Sequence, residues 1–216
     1  MKFRLPLRAA QLGGLLPVLA VSLSAAPIVF NGTGSNAGSG NALNATASFA
    51  FTGTTLTVIL TNNNAVSRPS DVLTALLWDM GNNSAVLTNY DADVTAGSTP
   101  GGQDLDNVGG NNEWRFRQNP AGLAGVTQHY GVGTAGMGIF GGGGGGQQMQ
   151  WGLINGKLAN ANSPINSGTF IQTSATFAFT VPSGFSGTIS NVRFQYGTSL
   201  TEPSILCANA AACRPP

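Results

Sequence analysis

The stretches Thr176-Phe-Ala-Phe-Thr-Val-Pro-Ser-Gly184 and Asn191-Val-Arg-Phe-Gln-Tyr196 decide the fold class. In both, large apolar side chains alternate with polar or small ones, so every second side chain points to the same face of an extended chain. Pro182-Ser-Gly184 is typical of a turn and ends the first stretch. A period of two bounded by turn residues predicts two β-strands, each with one buried face.

The same pattern continues earlier in the chain. Residues 48–52 and 56–61 alternate in the same way and are joined by Gly53-Thr54, which predicts a β-hairpin. Residues 113–117 alternate aromatic and charged side chains and predict another half-buried strand. Residues 72–78 are apolar on both faces, which fits a central strand covered on both sides, with a short buried helix as the alternative.

No segment combines a sustained helical period with a cap and a charged outer face. Each predicted strand hides one apolar row, and two sheets must face each other to bury those rows. The sequence therefore predicts an all-β fold, an antiparallel β-sandwich of jelly-roll-like type, although the pattern does not give the strand order.

Two glycine-rich segments are predicted to be loops. Residues 31–44 are rich in Gly, Asn and Ser, and residues 131–152 include six consecutive glycines, 141–146. Glycine has no side chain to pack and loses the most backbone entropy on ordering, so the second segment predicts a long mobile loop. Gly131-Val-Gly133-Thr-Ala-Gly136 has the letters of a dinucleotide-binding fingerprint, but the glycines that follow cannot form the required helix.

The N-terminus predicts export. Lys2, Arg4 and Arg8 precede an apolar stretch that small residues close, which is the order of a secretory signal peptide. We assign residues 1–26 to this peptide and residues 27–203 to a single β-sandwich domain. The apolar stretch is shorter than the roughly 20 residues that span a bilayer, so no permanent membrane span is expected in the mature chain.

The composition excludes several classes of protein. Only 8% of the residues are charged, and Asn, Thr, Ser and Gln supply the polarity instead. Without the three basic residues of the leader, six basic and eight acidic residues remain, a net charge of −2. Nucleic-acid binding needs a concentrated basic face, which this chain lacks. Low charge weakens repulsion between copies, so self-association is an expected property.

The two cysteines, Cys207 and Cys213, lie in a C-terminal tail that we assign to residues 204–216. In an exported chain they can pair in an oxidising compartment, and the expected bridge is a local one that pins the tail and does little for the core. Free or intermolecular thiols are the alternative.

Few residues have the types and spacing that catalysis or metal binding needs. His129 is the only histidine and is interpreted as a strand residue, and no G-x-S-x-G elbow is present. We therefore predict no catalytic residues and no cofactor. Candidate calcium ligands form two D-x-D pairs: Asp91, Asp93, Asp104 and Asp106. The alternative, solvated loop acids that stabilise turns, is favoured.

Four stretches resemble the exosortase-dependent surface proteins, bacterial proteins that usually carry a PEP-CTERM sorting tail. They are Leu56-Thr-Val-Ile-Leu-Thr-Asn62, Pro69-Ser-Asp-Val-Leu-Thr-Ala-Leu-Leu-Trp-Asp79, Gly136-Met-Gly-Ile-Phe-Gly141 and Val192-Arg-Phe-Gln-Tyr-Gly-Thr-Ser-Leu-Thr-Glu-Pro203. The resemblance implies a secreted, β-rich protein of the cell surface or of an exopolysaccharide matrix. Family members end in Pro-Glu-Pro, an apolar helix and a basic cluster. The residues after Glu202-Pro203 lack that pattern, so we expect the sorting tail to be lost, truncated or absent because the protein is released.

Together these observations predict a secreted, non-enzymatic structural or adhesive protein associated with exopolysaccharide or with other copies of itself. The alternative is a carbohydrate-binding or calcium-dependent, lectin-like module.

Overall fold

The chain folds into two antiparallel β-sheets that face each other. This computed structural model describes residues 26–106, 113–141, 149–185, 187–211 and 213–214. The five-stranded sheet has the order β1-β2-β3-β8-β5, with β1 at Ile28–Ser35, β2 at Ala42–Thr52, β3 at Thr55–Asn62, β8 at Ser174–Thr180 and β5 at Thr88–Val94. The six-stranded sheet has the order β11-β10-β9-β4-β7-β6, with β11 at Cys213–Arg214, β10 at Ser204–Cys207, β9 at Ile189–Tyr196, β4 at Leu73–Met80, β7 at Tyr130–Thr134 and β6 at Trp114–Gln118.

The all-β sandwich is therefore confirmed, while the jelly-roll subtype stays a prediction. Helical structure in the described part is short: α1 at Ser163–Ser167 and single 3-10 turns at Pro69–Asp71 and Gly138–Phe140. Residues 1–25 of the predicted signal peptide lie outside the described part.

The main core lies between the two sheets and is centred on Trp78 of β4. Its indole packs on aromatic rings from both sheets, with centroid distances of 5.7 Å to Phe49, 6.1 Å to Phe179 and 6.1 Å to Tyr130. All four side chains are almost completely buried. The alternating Phe and Leu residues of the sequence thus supply facing rows that interdigitate, which stabilises the sandwich by removing apolar area from water.

Strand β4 is buried on both faces, as the largely apolar sequence of residues 72–78 predicted. Leu76 and Trp78 point into the main core, whereas Ala75 and Leu77 point outward into a second apolar cluster with Met137 and Phe140. The six-stranded sheet therefore has a covered outer face, because the segments after β6 and β7 fold back over it.

The prediction of a loop at residues 31–44 is wrong. Most of it forms the antiparallel pair β1–β2, and only residues 36–41 turn the chain. The small residues have a packing reason: a Cβ on Gly32 would lie 2.8 Å from the Phe194 ring. A bare backbone lets Phe194 of the opposite sheet lie directly against β1.

The predicted glycine-rich loop begins too early in the chain. Residues 130–134 are strand β7, which is fully buried and lies between β4 and β6. The Phe140 ring covers this strand, and a Cβ on Gly133 would lie 2.5 Å from the ring. Of the six consecutive glycines, only Gly141 lies in the described part.

The predicted tail also differs from the structure, because the sheet continues beyond residue 203. Strand β10 pairs with β9, and Ile205 and Cys207 are fully buried in the main core. Cys207 and Cys213 form a disulfide that joins β10 to β11. The bridge therefore fastens a sheet edge to the core, in place of the isolated tail loop that the sequence suggested.

Candidate interaction surface

The outer face of the five-stranded sheet carries short, uncharged side chains on four neighbouring strands. We call these outward residues of β1, β2, β3 and β8 the hydroxyl face: Val29, Asn31, Thr33, Asn44, Thr46, Ser48, Ala50, Thr52, Thr55, Thr57, Ile59, Thr61, Ser174, Thr176, Ala178 and Thr180. The inward residues of the same strands are the Phe, Leu, Val and Ala of the core. Strict alternation thus produces one apolar and one hydroxylated face from the same strands.

Cross-strand register sets the pattern of the hydroxyl face. Thr46 of β2 lies opposite Thr61 of β3, and Thr61 lies opposite Ser174 of β8. The Thr61 and Ser174 hydroxyls are 2.7 Å apart, and the Thr46 hydroxyl donates to Asn31 Oδ1 at 3.1 Å. Some hydroxyls are therefore ordered by their neighbours. Others, such as that of Thr57, have no hydrogen-bond partner among the described residues and face outward.

An acidic cluster borders the hydroxyl face at strand β5. Asp91 and Asp93 point outward from β5, and Asp93 lies opposite Asp104 in an antiparallel bridge. The backbone N–H of Leu105 donates to the Ala92 carbonyl at 2.6 Å, which brings Asp106 close to Asp91. The structure thus gathers the four candidate calcium ligands, which sequence spacing alone could not show.

Electrostatics within this acidic cluster favour protonation. Burial, a hydrogen bond with the Asp104 carboxyl and the charges of Asp104 and Asp91 raise the pKa of Asp106 to about 6. Burial and the charges of Asp91 and Asp104 also raise the pKa of Asp93. No three His, Cys, Asp or Glu side chains in the described ranges are arranged to hold a metal ion. The carboxylates of the cluster lie close enough to raise one another's pKa, but they do not converge on one point.

His129 does not lie in a strand as expected; it precedes β7 and is fixed by Asp79 of β4. Asp79 Oδ1 accepts from the His129 backbone N–H at 2.9 Å and lies 2.7 Å from His129 Nδ1. Asp79 Oδ2 accepts from Asn191 Nδ2 at 2.7 Å. Within the described residues, Asp79 is the sole hydrogen-bond partner of the imidazole. The pair therefore connects a loop to two strands.

Arg115 and Arg117 belong to the alternating stretch that predicted a half-buried strand, and the structure gives them a specific role. Arg115 Nη1 donates to the Gly141 carbonyl at 3.2 Å, and Arg117 Nε donates to the Ile139 carbonyl at 3.2 Å. These contacts hold the turn that contains Phe140 against the outer face of the six-stranded sheet.

Sequence reasoning missed a polar centre around Asp71. This buried carboxylate accepts hydrogen bonds from Asn36 Nδ2 (2.8 Å), Ser39 Oγ (2.7 Å) and Asn41 Nδ2 (2.7 Å), and from the backbone N–H groups of Ser67 and Arg68. Burial alone raises the pKa of Asp71, but these hydrogen bonds outweigh it and hold the pKa below its ordinary value. The centre ties the β1–β2 turn to the start of β4. Its carboxylate is fully engaged by the protein.

Comparison of the chain with protein-family models, curated proteins and solved structures finds no match. Within the ranges that the structure describes, no helix is long and apolar enough to cross a bilayer.

Proposed function

We propose that this protein is a secreted, non-enzymatic component of a cell surface or extracellular matrix, and that it associates with exopolysaccharide through the hydroxyl face. The observation that carries the proposal is the absence of charge on the described outward side chains of four adjacent strands. Hydroxyl and amide groups both donate and accept hydrogen bonds, which matches the hydroxyl groups of a sugar chain.

The hydroxyl face also suits the less polar side of a sugar ring. Threonine methyl groups, alanines and two exposed aliphatic side chains, Val29 and Ile59, interrupt the polar groups. Such small apolar patches contact the C–H groups of a pyranose, and neighbouring hydroxyls bind its edge. Strands about 4.8 Å apart repeat this pattern across the sheet, so an extended polymer meets several equivalent positions.

Two features support the extracellular part of the proposal. The basic, apolar and small-residue order of the N-terminus is typical of export. The disulfide between Cys207 and Cys213 forms in oxidising compartments and is rare in the cytosol. The resemblance to exosortase-dependent surface proteins points to the same location, and sorting or anchoring at the envelope is part of this proposal.

Affinity electrophoresis tests the proposal. The mature chain is run through native gels that contain neutral or acidic polysaccharides, and each polymer is also assayed for newly formed reducing ends. We expect retarded migration with at least one polysaccharide and no reducing ends with any. Unchanged migration in every gel would contradict polysaccharide binding, and released reducing ends would show an enzyme.

The second candidate is a calcium-dependent, lectin-like module, and the gathering of four aspartates beside the hydroxyl face favours it. Calorimetric titration of the mature chain with Ca²⁺ separates the two candidates. If calcium contributes, heat is released and Asp104→Asn and Asp106→Asn each weaken binding, with Glu202→Gln as the control because that carboxylate lies in the turn before β10, at the other sheet. No heat and no shift in melting temperature with Ca²⁺ or EDTA would exclude this candidate.

A further inference from the structure

A cavity of about 470 Å³ opens on the outer side of the six-stranded sheet, away from the hydroxyl face. Its volume lies within the range of roughly 300–1,000 Å³ that is usual for small-ligand sites. Strands β9 and β10 form its floor and the segment before β7 forms its rim. It is lined by Gly125, Val126, Thr127, Gln128, Arg193, Ser204 and Leu206.

Arg193 is the one cation among these lining residues, and it is held rigidly. Its Nε and Nη2 donate to Gln195 Oε1 at 3.1 and 2.7 Å, and Nη2 also donates to the Leu200 carbonyl at 2.8 Å. Gln195 is fully buried, and its own Nε2 is fixed by backbone carbonyls of the following turn. The guanidinium therefore keeps one orientation at the cavity.

The charge of Arg193 is not neutralised within the described residues. No carboxylate there lies within ion-pair distance of the guanidinium, and its Nη1 has no described hydrogen-bond partner. Burial lowers the pKa of Arg193 from its ordinary value, since water is partly excluded around it. A half-buried cation without a counter-ion is a favourable place for a ligand anion.

Gln128 also lines this cavity, and its side chain carries a buried acceptor that has no donor among the described residues. The residue is 1% exposed, and its Nε2 donates to Asn191 Oδ1 at 3.1 Å. Its Oε1 has no hydrogen-bond partner among the described residues, which is costly for a buried polar atom. The nearby Asp79 carboxylate is engaged by His129 and Asn191, so it does not satisfy Arg193.

We propose that this cavity is a second binding site and that it takes a sugar acid, a hydroxylated ring with a carboxylate, from an acidic polysaccharide. The carboxylate binds Arg193, a sugar hydroxyl donates to Gln128 Oε1, and the ring lies along Leu206, which is opposite Arg193 in the sheet. A sulfate dianion satisfies the cation but has no proton for the acceptor. A neutral sugar satisfies the acceptor but not the cation.

The choice of sugar acids rests on the proposed polysaccharide association, whereas the anion site itself does not. The mature chain is titrated calorimetrically with oligogalacturonate or oligoglucuronate, with neutral oligosaccharides of the same length, with the methyl-esterified acid and with sodium sulfate. We expect binding of the free acids, and at least tenfold weaker binding of the ester and the neutral sugars. Equal binding of sulfate would replace the sugar-acid assignment with a simple anion site.

Three variants locate the site. Arg193→Gln should weaken binding of the acid at least tenfold. Leu206→Glu adds a negative charge at a 40% exposed position and should have the same effect without disturbing the core. Arg117→Gln, an exposed arginine outside the cavity, is the matched control and should bind as the parent does. Acid binding that survives both cavity substitutions would overturn the proposal.

A fourth variant separates this proposal from the function of the hydroxyl face. Thr57→Glu alters the opposite sheet, so it should leave the titration with sugar acids unchanged. If Thr57→Glu abolishes retention by gels of neutral polysaccharide but not binding of sugar acids, the two sites are independent. If no sugar acid binds while gel retention persists, the cavity proposal alone is wrong.

Discussion

Gly133 lies beneath the ring of Phe140, so close that a Cβ at this position would be 2.5 Å from Cδ2 of the ring. The contact places a fully buried phenylalanine on the bare backbone of strand β7. It explains why a glycine-rich sequence forms a central strand. The side chain that covers the strand comes from the turn that follows it.

Gly133→Ala should destabilise the protein by about 1–3 kcal/mol, the usual cost of inserting a methyl group into a packed site. The free energy of unfolding is measured by urea denaturation. Gly101→Ala is the control, because its Cβ would meet nothing closer than 3.6 Å and its φ angle is not positive. Equal stability of the two variants would show that Phe140 does not pack on β7.

Phe179→Ala should destabilise the sandwich by about 3–5 kcal/mol, because it leaves a cavity between the sheets. Phe179 is 2% exposed and packs on Trp78 of the opposite sheet and on Phe116, at centroid distances of 6.1 and 4.8 Å. Thr57→Ala, on the outer face, is the matched control and should change the free energy of unfolding by less than about 0.5 kcal/mol. A loss below about 1 kcal/mol for Phe179→Ala would contradict the central packing described above.

The fold class could be predicted because burial on one face imposes a period of two on the sequence. That signal was clear at Phe177 and Phe179, where every outward residue is small or polar. It failed at β1 and β7, where Gly32 and Gly133 face the rings of Phe194 and Phe140. A strand whose backbone packs against an aromatic ring from another segment carries glycine in place of an apolar residue. Composition then suggests a loop, because the partner ring is distant or follows in an irregular segment.

Asp71 should make the free energy of unfolding depend on pH. Its pKa in the folded state lies below its ordinary value, so its contribution is present above the unfolded pKa of about 3.9 and is lost as the pH falls through the folded value. Asp71→Asn should cost about 2–4 kcal/mol at pH 7, because an amide cannot accept all the donors around it, and the gap from the parent should narrow at pH 3. Chemical denaturation at both pH values measures this. A gap that is constant with pH would show that the charge of Asp71 is not involved.

Asp106 should make stability depend on pH with the opposite sign. Its folded-state pKa is raised to about 6, so the stabilisation that it contributes is present below the unfolded pKa of about 3.9 and is lost as the pH rises through 6. Asp106→Asn should therefore raise the melting temperature at pH 7.5 and leave it nearly unchanged at pH 4. A lower melting temperature for Asp106→Asn at pH 7.5 would contradict repulsion within the cluster.

The candidate sites were predictable only in part. The D-x-D spacing singled out Asp91 and Asp93 as loop acids, whereas the structure places both on one face of strand β5. Asp71 and its partners Asn36 and Asn41 are 35 and 30 residues apart in sequence, and nothing local signals the contact. The Arg193 cavity is harder still to predict from sequence, because Gln128 lies in a segment that folds back over the sheet. Only the tertiary structure shows that, among the described residues, the cation there has no counter-ion and the acceptor has no donor.

The most direct test of the central claim, that the uncharged hydroxyl face binds polysaccharide, is co-sedimentation of the Thr57→Glu variant with a neutral polysaccharide that retains the parent chain. Thr57 lies at the middle of this face, so a carboxylate there should weaken binding at least tenfold because it must be desolvated without a partner. Val86→Glu adds the same charge at a 57% exposed position outside the hydroxyl face and should bind as the parent does. Undiminished binding by a correctly folded Thr57→Glu variant would contradict the account.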